Sequence, residues 1–325
     1  ITDLVERVKH YRVLVVGDAI IDEYQYVEPM GKSPKENMIA TLFQNKEVFA
    51  GGVFAAANHV ASFCDQVEVV SVLGSAESYE NIVNSSLKPN VTFTPFYRDG
   101  APTTRKSRFI DHTMRKLFEV YFMDDSPIDD NLTAQIGKIF EDRGPEFDLV
   151  IMTDFGHGMI SRGLAKIIAK NSRFLAVNAQ SNSANMGFNL VTQYPSADYI
   201  CIDGPEARLA IADKFASAAD IAKNFLSPKL NCDKIILTQG MNGCVTFEKD
   251  VGTKHIPVFT KTVIDTVGAG DAFLAVTSPL VAAGGLMEHV GFIGNAAGAM
   301  KVGIIGHRKS VEKIDLLKFV TALLK

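Results

Sequence analysis

Ile264-Asp265-Thr266-Val267-Gly268-Ala269-Gly270-Asp271-Ala272-Phe273 decides how this chain of 325 residues is read. Ahead of it, His255-Ile256-Pro257-Val258-Phe259 is apolar and branched and predicts a strand. Behind it, residues 272–276 and 280–282 predict a buried helix. Two glycines let the backbone bend sharply between them and place no side chain in a ligand's way. The N–H groups of the helix's first turn, from about residue 268 to 271, lack partners and carry partial positive charge, which makes the bend an anion site. Asp271 stands in that same turn, where a carboxylate repels a phosphate. Gly-Ala-Gly alone reads as a loop with an acid decorating the first turn. The whole run Asp-Thr-x-Gly-Ala-Gly-Asp, late in an α/β chain, is far more specific and points to chemistry.

That chemistry is general base catalysis. A sugar hydroxyl ionises far above neutrality, so a carboxylate must take its proton as it attacks a γ-phosphate, while the helix N-terminus with Mg²⁺ absorbs the charge of the transferred group. No Gly-Lys-Ser/Thr follows the glycines, so this is not a Walker A loop, and no His-Arg-Asp of a protein kinase occurs.

Composition bounds the rest. With 47% hydrophobic and 22% charged residues the chain is ordinarily globular, and its length suits one large α/β domain with a small accessory piece. A net charge of −4 argues against a nucleic-acid partner. The most apolar region, 272–300, is broken by Pro279, Glu288, His289 and several glycines, so no membrane span is expected. Cys64, Cys201, Cys232 and Cys244 are scattered, which reads as free thiols in a reducing, cytoplasmic compartment. The first residues show no secretory pattern and no initiator Met, so a start upstream is expected.

Taken in order, Arg12-Val13-Leu14-Val15-Val16-Gly17-Asp18 predicts a buried parallel strand. Residues 23–27 and 38–43 then predict two strands around Gly31-Lys32-Ser33-Pro34 with no helix between them, an antiparallel excursion from the main sheet. Gly51-Gly52 opens an Ala-rich helix over 53–63, followed by a strand over 67–72. A second excursion, 103–123, breaks at Asp111-His112. Paired, the two excursions (about 20–48 and 101–123) form a lid over the site within a single domain spanning 1–325, and a surface for a homodimer. From about Asp129 regular βα alternation predicts strands at 149–153, 174–178, 199–202 and 234–238, and two closing helices at about 288–301 and 311–324. In such a sheet ligands gather beyond the carboxyl ends of the strands.

The motifs in this order resemble the PfkB (ribokinase-like) carbohydrate kinases, most closely the heptose-7-phosphate kinase branch (the kinase domain of ADP-heptose synthases). The resemblance implies a three-layer sandwich with a mainly parallel sheet and a protruding β lid. It implies Asp271 as base and Gly268, Ala269 and Gly270 as the anion hole. Asp18, Asp22, Gly51, Gly52 and Asp154 would bind the sugar, with Lys106 and Arg108, two residues apart on one strand face, meeting a sugar phosphate. Thr238, Gly240, Gly243, Thr266 and Asn295 would flank the nucleotide. Asp203 and Glu206 would serve Mg²⁺, Glu206 by orienting its water; in their own right they also read as the N-terminus of a helix. ATP and Mg²⁺ are the implied cofactors, and the resemblance leaves room for a monovalent cation such as K⁺. Kinases of this branch are often fused to a nucleotidyltransferase domain; its His-x-x-His signature is not in this sequence. The chain departs from the family at Ala55 and Ala56, where related kinases carry an Asn (Asn58 lies nearby), and at Asn178-Ala179-Gln180, where many carry Asp-Pro-Lys. His157 has no evident partner and reads as non-catalytic. The other readings are a ribose- or nucleoside-type kinase and a catalytically idle sugar-binding module on the same fold.

Overall fold

A computed structural model describes residues 2–325. Thirteen strands form two sheets: β1 (Arg12–Gly17), β2 (Ala19–Lys32), β3 (Ile39–Gly52), β4 (Gln66–Gly74), β5 (Val91–Arg98), β6 (Arg105–Ile110), β7 (Lys116–Phe122), β8 (Leu149–Asp154), β9 (Leu175–Ala179), β10 (Tyr199–Asp203), β11 (Lys234–Thr238), β12 (Cys244–Glu248) and β13 (Gly252–Ile256). The main sheet runs β13-β12-β11-β10-β9-β8-β1-β4-β5, parallel from β11 to β5, with β12 and β13 added antiparallel at one edge. The smaller sheet runs β3-β2-β6-β7 and is antiparallel except for the β2–β6 pair. The architecture is an α/β sandwich with a mainly parallel central sheet and a small second sheet, as the family resemblance implied.

Strand alternation builds two cores. In β1, Val13 and Val15 point to one face and Leu14 and Val16 to the other, because successive side chains leave a strand on opposite sides. On the first face they meet the helices Val53–Val60, Ala269–Ala282, Met287–Lys301 and Lys313–Leu323 through Phe54, Leu274, Val290 and Leu316. On the second they meet Asp130–Arg143 and Arg162–Asn171 through Ile136, Phe140, Leu164 and Ile168. Asp129 and Ser161 cap those two helices, accepting from the amides of Leu132 and Leu164, each worth about 1 kcal/mol. All four cysteines are buried and unpaired.

Three boundaries differ from the sequence reading. β2 and β3 are 14 residues each, far longer than the two short strands expected, because they continue as one ribbon past a bulge at Tyr26/Val27. β13 ends at Ile256 rather than at Phe259: Pro257 has no N–H to continue the ladder. β5 has no counterpart among the expected strands, since Pro95 sits in its middle; as the outermost strand it tolerates a missing donor.

Candidate active site

Several of the residues singled out at strand ends act on one another electrostatically: Asp18 on Asp154, Asp22 on Asp271, and Asp271 on Glu206. Gly268 takes the left-handed conformation, φ 73°, and starts the helix Ala269–Ala282. A Cβ there would lie 2.6 Å from His307 Cε1, so glycine is required both for the bend and for the neighbour. Among the described residues the amides of Gly268, Gly270 and Asp271 have no acceptor and are free for an anion. Ala269 corrects the sequence reading: its N–H closes the turn onto the carbonyl oxygen of Thr266 at 3.2 Å. Thr266 itself is exposed beside the bend.

Asp271 is buried, and burial raises its pKa; the charge of His307 and a 2.8 Å hydrogen bond from Gln180 Nε2 to Oδ1 pull the other way. The other carboxylate oxygen is left for a substrate hydroxyl. Gln180, noted from sequence only as a departure from family pattern, therefore touches the residue expected to act as base.

The carboxylates expected to meet the sugar are heavily engaged. Asp18 accepts from the amides of Phe155 (2.8 Å), Met159 (3.2 Å) and His157 (3.3 Å), holding the loop after β8 in place. Asp154 accepts from Gly156 N at 2.7 Å, from Gln193, from Asn189 and closely from Tyr194. Burial, with Asp18 nearby, pushes Asp154 up to about 7. Asp22 pairs closely with Arg108 and lies 3.1 Å from His307 Nε2; burial opposes ionisation there, but the guanidinium and the imidazole hold its carboxyl well below the usual range. A Cβ on Gly51 would collide with the Asp22 carboxylate, so Gly51 acts by letting β3 approach β2 at that point. Gly52 ends β3 against Asp18.

Arg108 corrects another expectation. Its guanidinium is spent on Asp22 and, at 3.2 Å, on Glu119, which leaves it unavailable as a free phosphate binder. Lys106 is different. It is buried, and among the described residues no carboxylate lies within ion-pair distance; its nearest recorded neighbour is the Tyr121 ring, 5.2 Å from Nζ. Burial lowers its pKa, while Asp22, Glu119 and Asp18 raise it. The His157 imidazole is also buried and neither nitrogen has a partner; burial and the Lys106 charge lower its pKa to about 3. His157 lines a cleft with Asp18, Arg98, Thr103 and Thr104. An unsatisfied buried imidazole costs free energy, so this residue, read from sequence as non-catalytic, is a cleft-lining group open to a ligand partner.

Of the residues expected to flank a nucleotide, Thr238 ends β11, and Gly240 and Gly243 form the turn into β12, with open space at the former. Asn295 is buried and donates to the carbonyl oxygens of Ile256 (3.0 Å) and Pro257 (2.9 Å), so its amide pins the end of β13. Asp203 and Glu206 form a full capping box, each side chain accepting from the other's amide (2.7 and 2.9 Å), and Glu206 also accepts from Ser181 N at 3.0 Å. Burial first, then Asp203, push Glu206 up to about 8. Asn58 has its side-chain amide bonded to Ser86 O and Lys88 N and lines a cavity with Ala55 and His307.

A sequence profile described as pfkB family carbohydrate kinase matches residues 11–314. The chain belongs to that family. As a member it is a phosphotransferase that delivers a phosphoryl group to a sugar hydroxyl. The kinase is 25% identical over 298 residues to the bifunctional protein HldE of Nitratiruptor sp., covering 91% of this chain and 62% of that one. It thus spans about three fifths of the length of the curated relatives it matches. Solved structures with the same fold include Arabidopsis thaliana ribokinase complexed with ribose and ATP, at TM-score 0.70 and 17% identity over 96% of this chain and 99% of that one. Phosphofructokinase-2 from Escherichia coli in complex with potassium matches at TM-score 0.72 and 16% identity over 97% and 100%.

Two residues of the kinase carry no signal of site membership in the sequence: His307, between Asp22 and Gly268, and Lys301, the last residue of its helix. Lys301 reads from sequence as a helix-end cation complementing the dipole. His307 sits in a loop with no motif. For Mg²⁺, no group of three or more His, Cys, Asp or Glu side chains among the described residues could chelate it directly. Glu206 is half-buried, raised in pKa and within electrostatic reach of Asp203 and Asp271, a set of carboxylates that suits a cation held through its waters.

Proposed function

We propose that this kinase transfers the γ-phosphoryl group of ATP to a hydroxyl of a sugar that already carries a phosphate, of the heptose-7-phosphate type. One observation carries the reading: Lys106, only 7% exposed, has no carboxylate within ion-pair distance among the described residues and lies within electrostatic reach of His157, whose imidazole is buried and unpartnered. A buried charge without a partner is expensive, and a phosphate supplies the partner. The second support is the HldE relatives.

In this mechanism Asp271 Oδ2 accepts the proton of the attacking hydroxyl, and Gln180 fixes the carboxylate through Oδ1. The amides of Gly268, Gly270 and Asp271 hold the migrating phosphoryl group. Asp203 and Glu206 would hold Mg²⁺ through water, and the ion would supply positive charge to the nucleotide phosphates. Thr238, Gly240, Gly243 and Thr266 flank the nucleotide in this reading. The small sheet, β2, β3, β6 and β7, acts as the lid within a single kinase domain. Its exposed Met30, Ile39, Phe43, Phe118 and Phe122 pack on a second copy of the chain. A linked or partner nucleotidyltransferase would complete the pair of activities that the relatives' name implies. A cytoplasmic setting suits four free buried thiols.

The test is an ADP-coupled screen of ribose, fructose, nucleosides and heptose 7-phosphate with MgATP, repeated on Lys106→Ala. The expected result is turnover best on the phosphorylated sugar, with KM for it alone rising in the variant. Equal turnover of ribose or a nucleoside, indifferent to Lys106, would favour the ribose-type reading, and no turnover of any sugar the idle-module reading.

A further inference from the structure

The bend at Gly268 is held from below by a pair of opposite charges. Asp265 accepts the amides of Val267 (3.1 Å, Oδ1) and Gly306 (2.8 Å, Oδ2). Lys301 Nζ donates to the carbonyl oxygens of the same two residues, Val267 at 2.7 Å and Gly306 at 2.8 Å. One side chain therefore takes both N–H groups and the other both C=O groups of the two segments that meet under the anion site. Lys301 is fully buried, makes no ion pair within 4 Å among the described residues, and its Cε lies 3.3 Å from where a Gly268 Cβ would be. Burial lowers its pKa, and the charges of Asp265, Asp271 and Asp22 oppose that shift and favour the ammonium.

Main-chain carbonyl oxygens converging on one point are what a weakly hydrated monovalent cation uses in place of water. Here that point is filled by a covalently attached ammonium. A K⁺ ion under the bend does not fit: it would need the oxygens that Lys301 holds and would face a like charge.

We infer that Lys301 is a built-in cation that replaces an exchangeable monovalent ion, so that the kinase holds its anion site in shape and positively biased without K⁺. The ammonium sits beneath the amides that receive the phosphoryl group, where a fixed positive charge favours the transition state more than the ground state. Lys301 is thus a positioning residue acting through Val267 and Gly268. The inference rests on the phosphoryl-transfer reading of the bend, not on which sugar is used.

The test compares the full chain with Lys301→Ala, which opens space for an ion, and Lys301→Met, which fills the space without charge. Turnover and melting temperature are measured in choline, Na⁺, K⁺ and NH₄⁺ chlorides at equal ionic strength. The wild type is expected to be flat across the four salts in both readouts. Lys301→Ala should lose about a hundredfold in kcat with little change in the KM for ATP, and K⁺ or NH₄⁺ should raise both its turnover and its melting temperature; Lys301→Met should lose kcat without recovery. Wild-type turnover or melting that requires K⁺ overturns the inference, as does a Lys301→Met protein with normal kcat. The melting arm needs no sugar, so a wrong sugar assignment leaves it decisive. Should Lys301→Ala fail to fold in every salt, the wild-type salt series and Lys301→Met still decide.

Discussion

At Asp271 the local sequence supplies the carboxylate and distant residues supply its setting. The Gly-Ala-Gly bend and the acid are adjacent in the chain, so the helix-starting bend with its unpaired amides and neighbouring carboxylate is legible in the amino-acid sequence itself. The groups that tune them are not: Gln180 lies 91 positions from Asp271, and His307 lies 285 from the Asp22 it contacts. No spacing rule reaches that far. Arg108 shows the reverse: its residue type suits a phosphate, but its tertiary contacts go to Asp22 and Glu119, while Asp18, expected to meet the sugar, also accepts from three backbone amides. At this scale the prediction is that Asp271→Asn lowers kcat by about 10²–10⁴-fold while leaving ATP affinity near normal. Asparagine keeps the size and the Gln180 contact but cannot accept the hydroxyl proton at neutral pH. Coupled turnover assays and calorimetric titration with ATP check both halves.

Among the elements, those whose burial is two-sided read most clearly from sequence. β1, β8 and β11 are continuous branched apolar runs, and both faces of each are covered by helices, so pattern and environment agree. The edge strands read least clearly, because an edge tolerates Pro95 in β5 and stops at Pro257 after β13. The small sheet is legible as two excursions, although its ribbon extends past the predicted ends. Phe43 and Phe118 lie on it 57% and 51% exposed, an apolar surface that water does not favour. If a second copy covers this face, Phe43→Asp shifts the protein to monomer in sedimentation equilibrium while thermal melting of the main domain changes little. A wild type that is already monomeric at micromolar concentration would reject the pairing.

Over the whole molecule, the sheet order brings the ends of β1, β8 and β9 and the Gly268 bend to one side, and with them a concentration of buried acids. That concentration sets the pH response. Glu206 and Asp154 titrate near 8 and 7 in the folded chain, far above exposed carboxylates, so across that range the folded state keeps protons that the unfolded state has released. Their contribution is complete at low pH and is lost as pH rises through 7 and 8. His59 and His157, buried neutral, act oppositely: their contribution is present above about 6.5 and is lost as pH falls. Stability should therefore peak near pH 6.5 and decline toward 8.5, and Glu206→Gln should flatten the alkaline decline. Melting temperatures across that range test it; an unchanged slope in the variant would remove Glu206 as the cause. Access to the site follows from how the two sheets are joined. Tyr24 of β2 donates to Asp265 at 2.5 Å and Lys116 of β7 reaches the same carboxylate at 3.0 Å, so the root of the small sheet is bolted to the loop that forms the phosphoryl cradle. The first irregularity outward from that bolt is the bulge at Tyr26/Val27. If the small sheet is the lid proposed above, it works as an awning that flexes beyond its bracket: the outer ribbon would admit and release ligand while the floor kept its geometry from one turnover to the next.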